Sequence, residues 1–433
     1  MPIVLGAGWS FSPLDEELGL VPGRFTPRLL GKIVRVGATV SFAEARQLLA
    51  ELVGVEVPAE TVRRVTEGAG RRAVEVETRQ AEGLGKSLAR PVVSIVDRLQ
   101  QVSVDGAMVP LVKGEWAEAK TLAIGRVERG KAGPKARDLS YFSRLADYET
   151  FSDQARVEFW RRGTEEAREV VAVTDGAEWI QRLLDDHCPD ALRIIDWGHA
   201  ASYISTAGQA LFGQGTADCS AWMAAQRETL WNGEPALVIE RLAQLEGSSG
   251  LDEVRIAHQY LAKRCEQLRY AAFRSGGYPV GSGIVESANK AVVEARLKGR
   301  GKHWARANVN PILALRCAQA SNRWRECWSR SEAALRRPHC HRPLVPYPCP
   351  NLPRLPFRSS RPTSPPSSTA NPPGIIPGSA DRPSRKTLGH TLNTTSVGQE
   401  RLPELRWGHD HDGAQTAAGQ RFASAAVRDG RDE

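Results

Sequence analysis

"EVVAVTDGAEWIQRLLDDHCPDALRIIDWGHA", residues 169–200, is the stretch whose reading decides the fold. Val170 to Val173 form a short continuous apolar run, as expected of a strand buried on both faces. The run ends on Asp175 and Gly176. A helical stretch, "AEWIQRLLDDH", and a second apolar run, "ALRIIDWGHA", follow. Short apolar strands alternating with helices predict an α/β fold with helices packed on both sides of a sheet.

Upstream, from about residue 92, the period changes to two. "VVSIVDRLQQVSVDGAMVPLV" and "AKTLAIGRVER" contain three strand-like runs with short connections, which predicts an antiparallel meander. "YFSRLADYETFSDQARVEFWRRG" then reads as helix. Three strands followed by helix, strand, helix, strand is the order of a ribonuclease H-like α/β fold, so 92–199 reads as the first part of such a domain. Residues 200–275 break the alternation with an almost wholly helical pattern and read as an all-helical insertion. After "SGGYPVGSG", one more helix and a basic segment complete the domain over 276–337.

Residues 1–91 read as a helical N-terminal region. Within it, "SFAEARQLLAELVGVEVPAETVRRVTEGAGRRAVE" (41–75) predicts two helices about a turn at Gly54. Pro58 suits the first turn of the second helix, which carries Arg63 and Arg64 outward. This is the layout of a helix-turn-helix, whose second helix can enter a major groove. An ordinary helical hairpin with a basic outer face would give the same pattern. The last 96 residues, from Pro338, hold 15 of the 27 prolines and show neither helical nor strand period, which predicts a disordered tail over 338–433.

Composition narrows the function. No run of about eighteen apolar residues exists, so no membrane helix is expected, and the N-terminus lacks the plan of a secretory signal. Seven cysteines are scattered without a Cys-x-x-Cys pair. That argues against a disulfide framework and for a reducing, cytoplasmic setting. Fifty-eight Lys plus Arg against 50 Asp plus Glu give a net charge of +8, compatible with a polyanionic partner.

Asp175 has a counterpart seventy residues upstream, where "QVSVDGAMVP" (101–110) also runs along a strand into Asp105 and Gly106. Asp-Gly is a common turn signal in its own right. The alternative is that two strands deliver carboxylates to one place. A third acid, Glu286, lies in the first turn of "GSGIVESANKAVVEARLKGRGKHWARAN", where the helix dipole favours an anion. Val285, Ala288, Val292 and Ala295 would pack that helix on the sheet, while Glu286, Asn289, Lys290, Val293 and Arg296 share a neighbouring face. Asp105, Asp175 and Glu286 together would make an all-oxygen site suited to Mg²⁺ or Mn²⁺. Two such ions suit phosphodiester chemistry. No serine-nucleophile or phosphate-loop motif competes with this reading.

Asp196 and His199, three apart in "IIDWGH", are either an auxiliary pair at the site or a helix cap beside a hydrogen-bonded histidine. Lys290, Arg296, Lys298, Arg300 and Lys302 suit a phosphate backbone, and Trp304 among them reads as core.

With these residues in hand, the chain resembles bacterial insertion-sequence transposases of the DDE type, in particular the Mutator-like branch whose catalytic domain carries a helical insertion. The resemblance covers about residues 11–335 and rests on "PLDEELGLVPGRFTP", "SFAEARQLLAELVGVEVPAETVRRVTEGAG", "VSVDGAMVPL", "VTDGAEWI", "IIDWGHA" and "GSGIVESANKAVVEARLKGRGKHWA". It implies a catalytic, metal-binding triad of Asp105, Asp175 and Glu286 with two Mg²⁺ or Mn²⁺ ions. Asp196 and His199 fall on the family's auxiliary pair. The implied activity is cutting transposon ends at terminal inverted repeats and joining the 3′-hydroxyl to target DNA, by a homo-oligomer assembled on DNA. Relatives carry a cysteine zinc-binding segment ahead of "PLDEELGL", and no cysteine precedes Pro13 here. The tail beyond Pro338 resembles nothing in the family. The expectation is an intact catalytic core with altered recognition of DNA ends, as in a truncated or decayed copy. The alternatives are a nuclease without strand transfer and a non-enzymatic repressor that binds the repeats.

Overall fold

The computed structural model describes residues 3–5, 9–11, 25–85, 98–131 and 133–336. The expected disordered tail, and residues 92–97 of the first strand-like run, lie outside them.

The chain is an α/β protein built on a mixed five-stranded sheet. A small antiparallel hairpin, β1 (Ile3–Leu5) and β2 (Trp9–Phe11), precedes it. The main sheet holds β3 (Leu99–Pro110), β4 (Trp116–Gly130), β5 (Gly133–Arg144), β6 (Glu169–Thr174) and β7 (Leu192–Ile195) in the spatial order β5-β4-β3-β6-β7. β3, β4 and β5 form an antiparallel meander, and β6 and β7 continue it in parallel with β3.

The meander is present, but its third strand is not where the period placed it. β5 takes in Tyr141–Arg144, which read as the start of a helix. Tyr141 and Phe142 point into cores on opposite faces of the sheet, which a strand allows and one helical stripe does not. The helix begins only after Asp147, whose carboxylate accepts from Thr150 N at 2.7 Å.

One face of the sheet carries Val102, Val104, Leu122, Ile124, Phe142 and Ala172 beneath two helices. These are α4 (Tyr148–Arg161) and α5 (Glu178–His187). Ile180, Leu183 and Leu184 of α5 are wholly buried there, each contributing about 1.5–3 kcal/mol.

The opposite face carries two separate apolar clusters. Val171, Val173 and Ile194 lie under helices α6 (Trp197–Phe212), α7 (Ala217–Trp231), α8 (Pro235–Ser249), α9 (Asp252–Lys263) and α10 (Tyr270–Ser275). Every described element between β7 and Gly283 is helical, as the pattern predicted. Ala107, Val109, Ala119 and Ala123 lie under α11 and α12 (Arg306–Ala320). Helix α11 starts as Gly283–Ala288, widens into a π turn over Asn289–Glu294, and closes as Ala295–Leu297. A last helix, α13, spans Trp324–Arg336.

Before the sheet stand α1 (Pro27–Thr39), α2 (Phe42–Val53) and α3 (Ala59–Gly85). Ser41 Oγ caps α2 by accepting from Glu44 N, and Gly54 ends it in the left-handed region at φ 69°. The two helices and their glycine turn stand where the sequence put them, though α3 runs ten residues past the expected end. α3 packs on α12, and the contact is close at Gly70. A Cβ there would lie 2.2 Å from the Pro311 carbonyl oxygen. No helix among the described residues is long and apolar enough to cross a membrane.

Two glycines in one helix test that crossing. Gly68→Ala, where a Cβ meets only Arg72 Nη1 at 3.8 Å, is expected to stabilise the protein by about 0.5–1 kcal/mol. Gly70→Ala is expected to destabilise it by about 1–3 kcal/mol because backbone must move. Chemical denaturation of both variants checks the contrast, and equal effects would contradict the packing.

Candidate active site

The register of β3 against β6 builds the site. Leu99, Gln100, Gln101 and Val102 pair with Glu169, Val170, Val171 and Ala172. Asp105 lies three residues beyond the last of these pairs on β3, and Asp175 directly follows the end of β6, near enough for its charge to act on Asp105. Both side chains share a face, because Asp105 has the parity of Ala107 and Val109, and Asp175 that of Val171 and Val173. They fall between the two apolar clusters of that face. The seam there is polar: Gln101, Ser103 and Thr121 are buried in it.

Asp105 is held at both oxygens. Gly106 N donates to Oδ1 at 2.7 Å, and Asn289 Nδ2 of the π turn donates to Oδ2 at 2.8 Å. Burial dominates its titration nevertheless. Loss of hydration, with the charge of Asp175 and of Glu118 adding to it, pushes the Asp105 carboxyl up to about 6. The Asp175 side chain accepts from Ala177 N at 2.9 Å, which closes the turn after β6. Among the described residues no Lys or Arg side chain forms an ion pair with Asp105, Asp175 or Glu286.

Helix α11 runs along β3. Gln101 Nε2 donates to Gly281 O at 3.0 Å near the helix start, and Asp105 meets Asn289 two turns on. Glu286, one turn before Asn289, is exposed. Its Oε1 accepts from Ser282 Oγ at 3.2 Å, and Ser282 N donates to Asp196 Oδ2 at 2.7 Å. Asp196 N in turn donates to Thr174 O at 2.8 Å, next to Asp175. Asp105, Asp175, Glu286 and Asp196 thus stand on one face, linked through Asn289, Ser282 and the end of β6. They are not drawn into one cluster. Among the described residues no three His, Cys, Asp or Glu side chains stand close enough to hold a metal ion.

Asp196 caps α6, its Oδ1 accepting from His199 N at 2.8 Å. Both of its oxygens are therefore engaged by backbone, which is the cap reading of the pair. The His199 ring packs edge-on against Tyr203 and Tyr260.

The basic residues fall into three groups. Lys290 and Arg300 are exposed, Lys302 half-buried, and Arg64 is exposed on α3. Arg63 is paired with Glu60 and with Glu67 at 3.0 Å, and Lys298 with Glu294 at 2.8 Å. Arg296 corrects the expectation of a phosphate contact. It is 2% exposed, donates to Gly37 O at 3.1 and 3.2 Å, and lies between the rings of Phe42 and Trp304. The π turn explains the error: its extra residue rotates the positions after it, turning Arg296 and Leu297 inward and Ala295 outward. Trp304 is core, its Nε1 donating to Leu297 O at 3.0 Å. Every described cysteine is free.

Sequence reasoning placed Asn289 beside Glu286 but gave it no role. It missed Tyr260 and Arg264 entirely. Tyr260 OH donates to Asp175 O at 2.5 Å, and Arg264 donates to Gly176 O. The spacing of Glu286 and Asn289 on one helix was a usable signal. Nothing in the sequence connects residues 260–264 to 175–176.

Compared with known proteins, the chain matches no protein-family model and no curated protein.

The raised Asp105 carboxyl makes stability depend on pH. Between about pH 4 and pH 6 the folded state binds this proton more tightly than the unfolded chain, so stability falls as pH rises through that window. Above it the penalty is complete. Asp105→Asn removes the ionisation. Its melting temperature relative to wild type, in EDTA, is expected to rise by about 2–4 °C between pH 4.5 and pH 7.5. A difference that does not change with pH would show that Asp105 titrates normally.

Proposed function

We propose that this chain is a metal-dependent polynucleotidyl transferase, a DDE transposase of a bacterial insertion sequence with a ribonuclease H-like catalytic domain and a helical insertion. The observation that carries the proposal is the pair of carboxylates, Asp105 on β3 and Asp175 in the turn just after the neighbouring parallel strand β6, close enough for the charge of one to act on the other and, among the described residues, without a basic side chain paired to either. The strand order and the helical block after β7 support the fold assignment, and the resemblance noted above supplies the family.

The donor chemistry fits a hard divalent cation. Asp105 and Asp175 offer carboxylate oxygens, and Glu286, exposed and held by a hydrogen bond from Ser282, would have to leave that partner and turn towards them to complete the set. These three residues would hold Mg²⁺ or Mn²⁺, which when bound would polarise a phosphate and acidify the attacking water or 3′-hydroxyl. The chain's own residues do the rest. Asn289 and Gly106 N–H orient the Asp105 carboxylate. Without a metal the Asp105 carboxyl is pushed up to about 6, and a bound cation would draw it down, so metal binding is expected to weaken as pH falls below 6. Lys290, Arg300 and Lys302 lie on and beyond the helix that carries Glu286 and would hold the backbone of DNA at terminal repeats or target. Arg64 on α3 would do so in the helix-turn-helix reading, in a cytoplasmic protein that acts as a homo-oligomer on DNA.

A strand-transfer assay with Mg²⁺ or Mn²⁺ and the flanking terminal repeats tests this. Joined product supports the transposase. Nicking alone supports a nuclease, and a shifted band without cleavage supports a DNA-binding repressor. Asp175→Asn is expected to lower cleavage by at least about 10³-fold while changing DNA affinity less than about threefold. Cleavage that survives this change would remove Asp175 from the site.

A further inference from the structure

The turn that carries Asp175 lies past the end of the β6 ladder, so its carbonyl groups have no strand partner. Two side chains from the helical segment take them. Tyr260 OH donates to Asp175 O at 2.5 Å. The Arg264 guanidinium donates to Gly176 O through Nε at 3.2 Å and through a terminal nitrogen at 2.6 Å, and returns to Tyr260 O at 3.2 Å. It also lies 4.2 Å from the centroid of the Tyr260 ring, which stacks on Tyr203 at 3.9 Å.

The fit leaves no slack. Gly176 is in the left-handed region at φ 77°, and a Cβ there would fall 2.5 Å from Arg264 Nε and 2.7 Å from Ile195 Cδ1. The Arg264 side chain is only 10% exposed, while its carboxylate neighbour, Glu178, is 71% exposed at 3.6 Å. A largely buried cation is thus committed to a neutral carbonyl, which is costly unless its hydrogen bonds are needed. A guanidinium so engaged is poorly placed to serve as a phosphate contact.

We infer that Arg264 and Tyr260 are positioning residues that clamp the Asp175 turn from the helical segment, fixing where the Asp175 carboxylate stands relative to Asp105. The helical segment thereby becomes part of the active site without supplying a ligand. The inference rests on the proposed metal-binding role of Asp175, and two measurements on the full chain separate it from that role.

The first is amide hydrogen exchange across residues 174–179 in wild type, Tyr260→Phe, Arg264→Gln and Arg264→Lys. The second is Mn²⁺ affinity by calorimetry. Tyr260→Phe and Arg264→Gln are expected to speed exchange in the turn and weaken Mn²⁺ binding by about tenfold, as loss of outer-shell partners does. Arg264→Lys should recover part of both. The α4 amides and those of α5 from Ile180 onward serve as the fold control and should exchange as in wild type. Unchanged exchange in the turn overturns the inference. So does faster exchange with wild-type Mn²⁺ affinity, which would make the contact purely structural. If wild type itself binds no Mn²⁺ that Asp175→Asn abolishes, while the variants still loosen the turn, the clamp stands and the metal reading falls.

Discussion

The parallel register between β3 and β6 is the constraint on which the rest of the molecule turns. Side chains on a strand alternate with a period of two, so a slip of one residue would send Asp105 to the opposite face and separate it from Asp175. Apolar burial prevents the slip. Val102, Val104 and Ala172 must face α4 and α5, while Val171 and Val173 must face the helical segment. The same pattern that fills the two cores therefore brings the two carboxylates together, and no contact between the acids themselves is needed to do it.

The second feature is the way one face of the sheet is covered. Two helical blocks share it, and the seam between them holds Gln101, Ser103, Asp105 and Thr121. A seam of this kind gives up apolar burial and leaves costs behind. Oδ1 of Asn289 is buried and finds no donor among the described residues, at about 1–3 kcal/mol. The π turn that presents Asn289 to Asp105 is itself a departure from regular helix of the kind found at functional sites. A protein selected for stability alone would fill this seam with apolar side chains. Two departures from the rules of packing, the unpaired Asn289 Oδ1 and the π turn, thus adjoin Asp105.

Much of this was legible in the sequence. Continuous apolar runs marked β6 and β7, and helical spacing marked the block after β7 and the helices about Gly54. What misled were stretches in which two periods overlap. Tyr141–Arg144 suits a helix as well as a strand until the sheet gives Tyr141 and Phe142 separate cores. Arg296 lies on a face that looks polar as long as α11 is drawn as a regular helix. The extra residue in its π turn belongs to the packing and leaves no trace in composition or spacing.

By itself, the sequence determined the α/β class, the strands β6 and β7 and the helical block that follows them, because periodicity and turn chemistry act over a few neighbouring residues. Tertiary structure decided which groups meet. It seated Asp105 against Asn289, tied Glu286 to Asp196 through Ser282, turned Arg296 inward, and brought Tyr260 and Arg264 onto the Asp175 turn. Those contacts span eighty-five to two hundred and fifty-nine residues of chain, apart from the local link of Glu286 to Ser282. Long-range contacts of this kind arise from closure of the core as a whole, which no short window of sequence encodes.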